Sequence, residues 1–325
     1  MSAMRSIYVT VVSYEYALLA ISLVHALSSA GKKCALYCID DRGADLLEEV
    51  LPKSCVVFRP ADYQDAKLVE IRKNRSDSEY CWTCKSVALE HILTQMPELD
   101  WAIYLDSDMM IFGDPDKALP TSSDAHVLLT PHRPSTPHFE SFMQQAGHFN
   151  AGYIAFRASK DGLKALRWWR EKCEESCSVR PDAQGYADQR YLDEFSELFN
   201  GVTLSENLGV NAAPWNISGK RITKKSDSVF IDNDELLIYH MQGFKKIGFG
   251  FYDLYSGELN LPASVRDFIY GPYIRHLERC SLLLSSDYAG PRMHSHSRST
   301  RAALREVKRK FQGLSNVYRQ RVEKG

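Results

Sequence analysis

No apolar run among the 325 residues is long enough to span a bilayer, and the first residues lack a signal-peptide pattern. The expected location is therefore cytoplasmic, where the eight cysteines stay mostly reduced. There is no internal repeat, and no low-complexity linker before about Ser285, so a repeat array is excluded and the body is expected to be one domain. Net charge is nearly absent too, at −1, but the balance is uneven. From Arg292 onward ten Lys and Arg stand against two acidic residues, which leaves 30 basic and 39 acidic residues in the body. No basic face shows in that acidic body, so nucleic acid is not an expected partner.

What is present is the composition of a globular enzyme, 44% hydrophobic and 25% charged, in a chain long enough to bury a sizeable core. Cys34, Cys38, Cys55 and Cys280 sit among apolar residues and read as small core side chains. Cys81 and Cys84 have C-x-x-C spacing, and Cys173 and Cys177 lie one helical turn apart, but neither pair has the ribbon or finger context of a structural zinc. Residues 7–14 (IYVTVVSY) read as a strand, 17–29 as an apolar-periodic helix closed by Ala30-Gly31, 34–40 as a second strand, 44–51 as a helix and 55–58 as a third strand. Further helices are expected near 82–94 and over 163–177 and 189–198, and further strands over 127–130, 152–156, 229–231 and 236–240. Strand–helix alternation at the start indicates a parallel sheet with helices on its faces, which binds ligands at the carboxyl ends of its strands. Ser13, Tyr14, Asp40, Asp106 and Asp108 all fall at such ends.

The segment from Trp101 to Pro115, WAIYLDSDMMIFGDP, carries the most chemistry. An apolar strand ends in two carboxylates, Asp106 and Asp108, which an extended backbone would aim to one side. Two anions so close repel unless a cation lies between them. An Asp-x-Asp triplet alone is more often a solvated turn, so the case depends on partners elsewhere.

Those partners exist. YLDSDMMIF, FNAGYIAF (149–156), ADQRYLDEF with Asp188-Gln189, PWN (214–216) and HMQGFKK with His240, Gly243 and Lys246 occur in that order. Together they resemble the metal-dependent GT-A glycosyltransferases, within them the retaining family-8 type that includes glycogenin and bacterial lipooligosaccharide galactosyltransferases. The resemblance covers residues 4 to about 251. It implies an α/β, Rossmann-like GT-A fold with a mixed, mostly parallel sheet flanked by helices. Residues 1–270 would form the catalytic domain and 271–325 a C-terminal helical extension with a basic tail. Two positions depart from the pattern: Lys85 stands where the family usually has Arg, and Lys246 is followed by Ile247-Gly248.

The same resemblance implies the roles. Asp106, Asp108 and His240 would hold a divalent metal, with imidazole favouring Mn²⁺ over Mg²⁺. Asn150, Ala151 and Lys85 would touch the donor, and Gly243 and Lys246 its diphosphate. Tyr14 could stack on a uracil, with Ser13, Glu15 or Asp40 at the base edge, or equally be a half-buried core aromatic. Asp188 would hold sugar hydroxyls and Gln189 lie beside the anomeric carbon, although Asp188 also suits a helix N-cap. The implied reaction moves a hexose from a nucleotide-sugar donor, UDP-linked, to a glycan or lipid-linked acceptor with retention. Acceptor contacts are expected from loop-like residues 132–148 and 208–215. A sugar-1-phosphate nucleotidyltransferase is the alternative enzyme, but SYEYALLA after the first strand offers no Gly-rich phosphate loop. The other alternative is a non-catalytic sugar-nucleotide-binding protein on the same fold.

Residues 301–324 place Leu304, Val307, Phe311, Leu314, Tyr318 and Val322 at helical spacing among Lys and Arg. An amphipathic basic helix is expected there, suited to an anionic membrane surface or to self-association.

Overall fold

The computed structural model describes residues 4–179, 187–248, 250–255, 257, 259–284, 288, 309 and 316–319. A seven-stranded sheet in the order β3-β2-β1-β4-β7-β6-β8 forms the centre. Its strands are β1 (Ser6–Val12), β2 (Cys34–Cys38), β3 (Cys55–Phe58), β4 (Trp101–Leu105), β6 (Val127–Pro131), β7 (Phe149–Arg157) and β8 (Val202–Leu204), with β5 (Met109–Ile111) lying outside it. β7 is antiparallel to both β4 and β6, and every other pairing is parallel, so β7 alone runs against the rest. This is the mixed, mostly parallel α/β sheet that the sequence led us to expect.

Alternation along the strands feeds two apolar layers. Tyr8, Leu36, Trp101 and Ile103 pack with Leu18 and Ile21 of α1 (Ala17–Ser29) and Leu47 of α2 (Asp41–Val50). Ile7, Val9, Tyr37 and Tyr104 face the other way. They meet Leu68 beyond the short α3 (Pro60–Tyr63), in α4 (Ala66–Arg72), and the apolar sides of α5 (Asp77–Gln95). Cover on both faces explains why these strands read as continuous apolar runs.

The helix ends follow from local chemistry. Gly31 closes α1 at φ 71, a left-handed value that a side chain would resist, and Lys32 N–H donates to Leu27 O at 2.9 Å. Ser76 and Glu79 form a capping box on α5. Asp40 caps α2, accepting from Gly43 N–H at 2.7 Å. β2 therefore stops at Cys38, short of the expected Asp40, and β1 stops at Val12, with Tyr14 opening a 3₁₀ turn.

Three further expectations change. The loop-like segment 132–148 contains α6 (Pro137–Ala146), set off by Pro at its first turn and ended by Gly147 at φ 97. α7 (Lys160–Glu175) follows β7 as expected, but the helix foreseen over 189–198 is a 3₁₀ turn, Arg190–Glu194, then a single α turn, α8 (Phe195–Leu198). Gln189, not Asp188, is the N-cap of that turn, so the capping role offered for Asp188 falls away.

Beyond β8, β9 (Ile222–Lys225), β10 (Ser228–Ile231) and β11 (Asp234–Glu235) form a small antiparallel sheet. β12 (Ile238–His240) then returns to pair antiparallel with β5. β13 (Lys245–Gly248) and β14 (Phe251–Asp253) form a hairpin. After the short α9 (Ala263–Val265), α10 (Gly271–Ser281) packs Ile274 and Leu277 into the same layer as α1. Within the basic tail, Val317–Arg319 is β15, paired with β14 through Tyr252 and Tyr318. That strand corrects the helix expected over 301–324 at this point; most of the expected helix lies outside the described residues. The cause is tertiary. Asn316 donates to Tyr255 O at 2.9 Å and accepts from Leu261 N–H at 2.8 Å, while buried Arg309 meets the fully buried Asp253 at 3.0 Å. No helix among the described residues is long and apolar enough to cross a membrane.

Candidate active site

The Asp-x-Asp carboxylates converge through a turn and not along an extended strand. Met109 N–H closes onto Asp106 O at 3.1 Å, so the chain reverses between β4 and β5. β5 then pairs with β12 in a register that sets His240 opposite Met109, one residue from Asp108. Met241 N–H donates to Asp108 O at 2.9 Å and locks this junction. An imidazole 132 residues downstream of Asp108 is thus delivered by one strand pairing.

One ligand atom from each of Asp106, Asp108 and His240 lies within 4.8 Å of the others. His240 Nε2 is 3.1 Å from Asp108 Oδ1 and 4.0 Å from Asp106 Oδ2. Burial alone would strip the imidazole of its proton, yet Asp108 and then Asp106 hold its pKa above the ordinary value. Burial likewise opposes the Asp108 charge, but His240, with a backbone N–H and Lys85, offsets this and lowers the Asp108 pKa. The site therefore attracts positive charge, and its two carboxylates and one imidazole are a donor set that a divalent cation could take over. Gly152 makes room. A Cβ there would lie 2.9 Å from both Asp106 Oδ2 and His240 Cε1 and 2.7 Å from Asn150 Oδ1.

Lys85 approaches the same carboxylates from α5. Its Nζ is 3.0 Å from Asp106 Oδ1, 3.0 Å from Asp188 Oδ2 and 3.4 Å from Ala151 O, and the side chain is 4% exposed. So deep a burial would neutralise a lone lysine, but the two carboxylates outweigh it and raise its pKa. Asp188 stays above the usual carboxylate range, because burial and Asp106 together exceed the pull of Lys85.

Lys85, Asp106, Gly152, Asp188 and His240 line a cavity of about 300 Å³. Asn150 and Gln189 share it: Asn150 Nδ2 approaches Gln189 Oε1 at 3.4 Å, and Gln189 Nε2 donates to Ala146 O at 3.0 Å. The lining is also aromatic, with Trp82, Tyr255, Phe139 and Phe142 of α6, and Trp215, whose ring stands edge-on to His240 at 5.2 Å. Phe139 and Phe142 fall within 132–148, a stretch expected to contact the acceptor, but were not singled out there. The Thr136-Pro137 start of α6 is a helix signal that could have disclosed its aromatic face. His132 and Gly152 carry no such signal, since each matters only through what folds against it.

Seven expected site residues are not in this cavity lining: Ala151, between the lining residues Asn150 and Gly152, Asp108, 3.1 Å from His240, and Ser13, Tyr14, Asp40, Gly243 and Lys246. Ser13 is buried beside β1. Asp40 spends its carboxylate on Gly43 N–H and on Tyr14 N–H at 2.9 Å. Tyr14 has the Arg42 guanidinium 3.8 Å over its ring and Tyr288 edge-on at 5.2 Å, so one face is already covered. Gly243 serves a turn at φ 76, a reason for glycine separate from close approach to a phosphate. Lys246 lies on β13 opposite Tyr252, exposed, with Nζ 6.0 Å from that ring.

No family model matches the chain. Among curated proteins it is similar to the uncharacterized protein YfnD of Bacillus subtilis (strain 168), 30% identical over 275 residues that cover 83% of this chain and 88% of YfnD. It is also 30% identical over 250 residues to YfnF of the same organism, covering 74% of this chain and 82% of YfnF. Among solved structures it is similar to the galactosyltransferase LgtC in complex with donor and acceptor sugar analogs, at 17% identity, 86% and 96% coverage and a TM-score of 0.46. A glycosyltransferase involved in glycosylation of the major capsid of PBCV-1 follows at 10% identity, 73% and 94% coverage and a TM-score of 0.43.

Proposed function

The chain belongs to the family of YfnD and YfnF, and we propose that it is a metal-dependent glycosyltransferase that moves a hexose from a nucleotide diphosphate sugar to a glycan or lipid-linked acceptor. The observation that carries this reading is the meeting of Asp106, Asp108 and His240, two of which, Asp106 and His240, line the same cavity as Asn150, Asp188 and Gln189. Asp106, Asp108 and His240 would hold the divalent ion, and the imidazole favours Mn²⁺. Such an ion, when bound, neutralises the diphosphate leaving group without proton transfer.

The protein groups divide the remaining work. Lys85 brings a fixed positive charge to the carboxylates and limits their mutual repulsion. Asp188, in the cavity lining, would accept from sugar hydroxyls, and the next residue, Gln189, meets Asn150 at 3.4 Å. An amide such as Gln189 is a poor nucleophile, which favours transfer on one face with retention and the departing phosphate taking the acceptor proton. The aromatic wall offers flat apolar surface to an acceptor sugar. A UDP-linked donor is the form we propose.

Calorimetry of UDP with and without Mn²⁺ tests the reading, and a screen of nucleotide sugars for Mn²⁺-dependent nucleotide release would name the donor. UDP binding that ignores the metal, or an Asp108→Ala protein with full transferase activity, would overturn it.

A further inference from the structure

We propose that Cys34 and Cys55 form a modification site, a dithiol that a peroxide closes into a disulfide across β2 and β3. The two residues are directly paired in the parallel register of these strands, so both side chains leave the same face of the sheet. Their sulfurs lie 3.2 Å apart, and both join the apolar layer that includes α1 and α2. Neighbouring strands run about 4.7–4.9 Å apart. That spacing falls inside the span of about 4.4–6.8 Å usual between the Cα atoms of a disulfide. Closing the sulfurs to a bond of about 2.0 Å therefore needs a shift of little more than about 1 Å, which side-chain rotation supplies without moving the backbone.

The pair is also placed to react. β3 is the outer strand of the sheet, and Lys53 and Ser54, which lead into it, are exposed. The contact lowers the pKa of Cys34 below that of an ordinary thiol, because Cys55 can donate to a thiolate there, and it raises the pKa of Cys55 in return. The Cys34 thiolate attacks one peroxide oxygen, the O–O bond breaks, and the departing oxygen leaves as water with the proton that Cys34 gave up. Cys34 is then a sulfenic acid. The Cys55 sulfur displaces its hydroxyl, which leaves as a second water with the Cys55 proton. Two thiols have lost two electrons between them, and the peroxide is reduced to two waters.

This site is independent of the cavity and of the function proposed above. Cys34 opens β2, whose other end leads through Cys38 to Asp40, the cap of α2. A bond there joins the edge strand to its neighbour and encloses α2 in a loop whose ends are 21 residues apart. Restricting that loop in the unfolded chain should raise the melting temperature by about 4 °C.

The test exposes the full, folded chain to hydrogen peroxide, blocks the remaining thiols and maps the peptides by mass spectrometry. A Cys34–Cys55 pair lighter by two hydrogens is expected, reversed by dithiothreitol, with Cys38, fully buried in the same strand, still free. The oxidised protein is expected to melt about 4 °C higher than the reduced one, and Cys55→Ser to show neither the link nor the rise. Wild-type Cys34 and Cys55 that stay unlinked overturn the proposal without any variant. So does a link that lowers the melting temperature, because the bond would then distort the sheet. Oxidation of Cys38 as fast as the pair overturns it too, because the strands would then be opening before they react.

Discussion

Adding one methyl group at Gly152 should disable cation binding while leaving the fold nearly intact. In Gly152→Ala the new Cβ meets Asp106 Oδ2 and His240 Cε1 at 2.9 Å and Asn150 Oδ1 at 2.7 Å, whereas ordinary contacts begin at 3.4 Å. Relief therefore needs displacements of about 0.5 Å or more in two expected ligands, against a tolerance near 0.2 Å for metal–ligand distances. The fold can absorb the change more easily. Overpacking costs about 1–3 kcal/mol, and these side chains border an open cavity into which they can move. Melting should fall by only several degrees, while Mn²⁺ affinity measured by electron paramagnetic resonance should drop by about tenfold or more. A Gly152→Ala protein with Mn²⁺ affinity within twofold of wild type would refute the placement of the cation between these side chains.

Other outcomes follow from the same geometry. Because a proton and a cation compete for His240, whose pKa is raised by Asp108 and Asp106, Mn²⁺ affinity should climb with pH beyond the ordinary imidazole value of 6.5; a flat titration from pH 6 to 8 would contradict this. Lys85→Met leaves Asp188 buried beside Asp106 without its cation, and urea unfolding should show a loss of about 3–5 kcal/mol. Burial lowers the His132 pKa from 6.5 to about 4, so the unfolded chain takes up a proton first as pH falls. Stability contributed by the neutral ring is complete above pH 6.5 and declines by up to about 3 kcal/mol towards pH 4, a slope that His132→Gln should reduce in urea titrations. Arg309→Met removes the guanidinium from the fully buried Asp253, and hydrogen exchange should accelerate through β13 and β14, with no change expected at β1.

How far the sequence was readable can be judged from particular elements. β3 and α1 occur where hydrophobic periodicity put them, because a buried strand and an apolar-faced helix must show that pattern to pack at all. The Asp-x-Asp pair and His240 were legible as residue types at strand ends. Their convergence was inferred for an extended chain, whereas a turn produces it. α6 was missed because a partly exposed helix resembles a polar loop in sequence. The tail misled for the opposite reason: spacing suited to a helix also occurs around Val317–Arg319, where pairing with β14 decides the outcome.

Local sequence thus determined the alternating elements, their caps and the chemical inventory, since these depend on residues within a few positions of one another. It supplied two carboxylates, an imidazole, a lysine and an amide-bearing Asp-Gln pair, but no distances among them. Tertiary structure decided which of these meet. The β5–β12 register brings His240 to Asp108, and the reach of α5 puts Lys85 between Asp106 and Asp188. Each depends on backbone hydrogen bonds or packing between segments far apart in the chain, and residue spacing along a strand or helix carries no record of those.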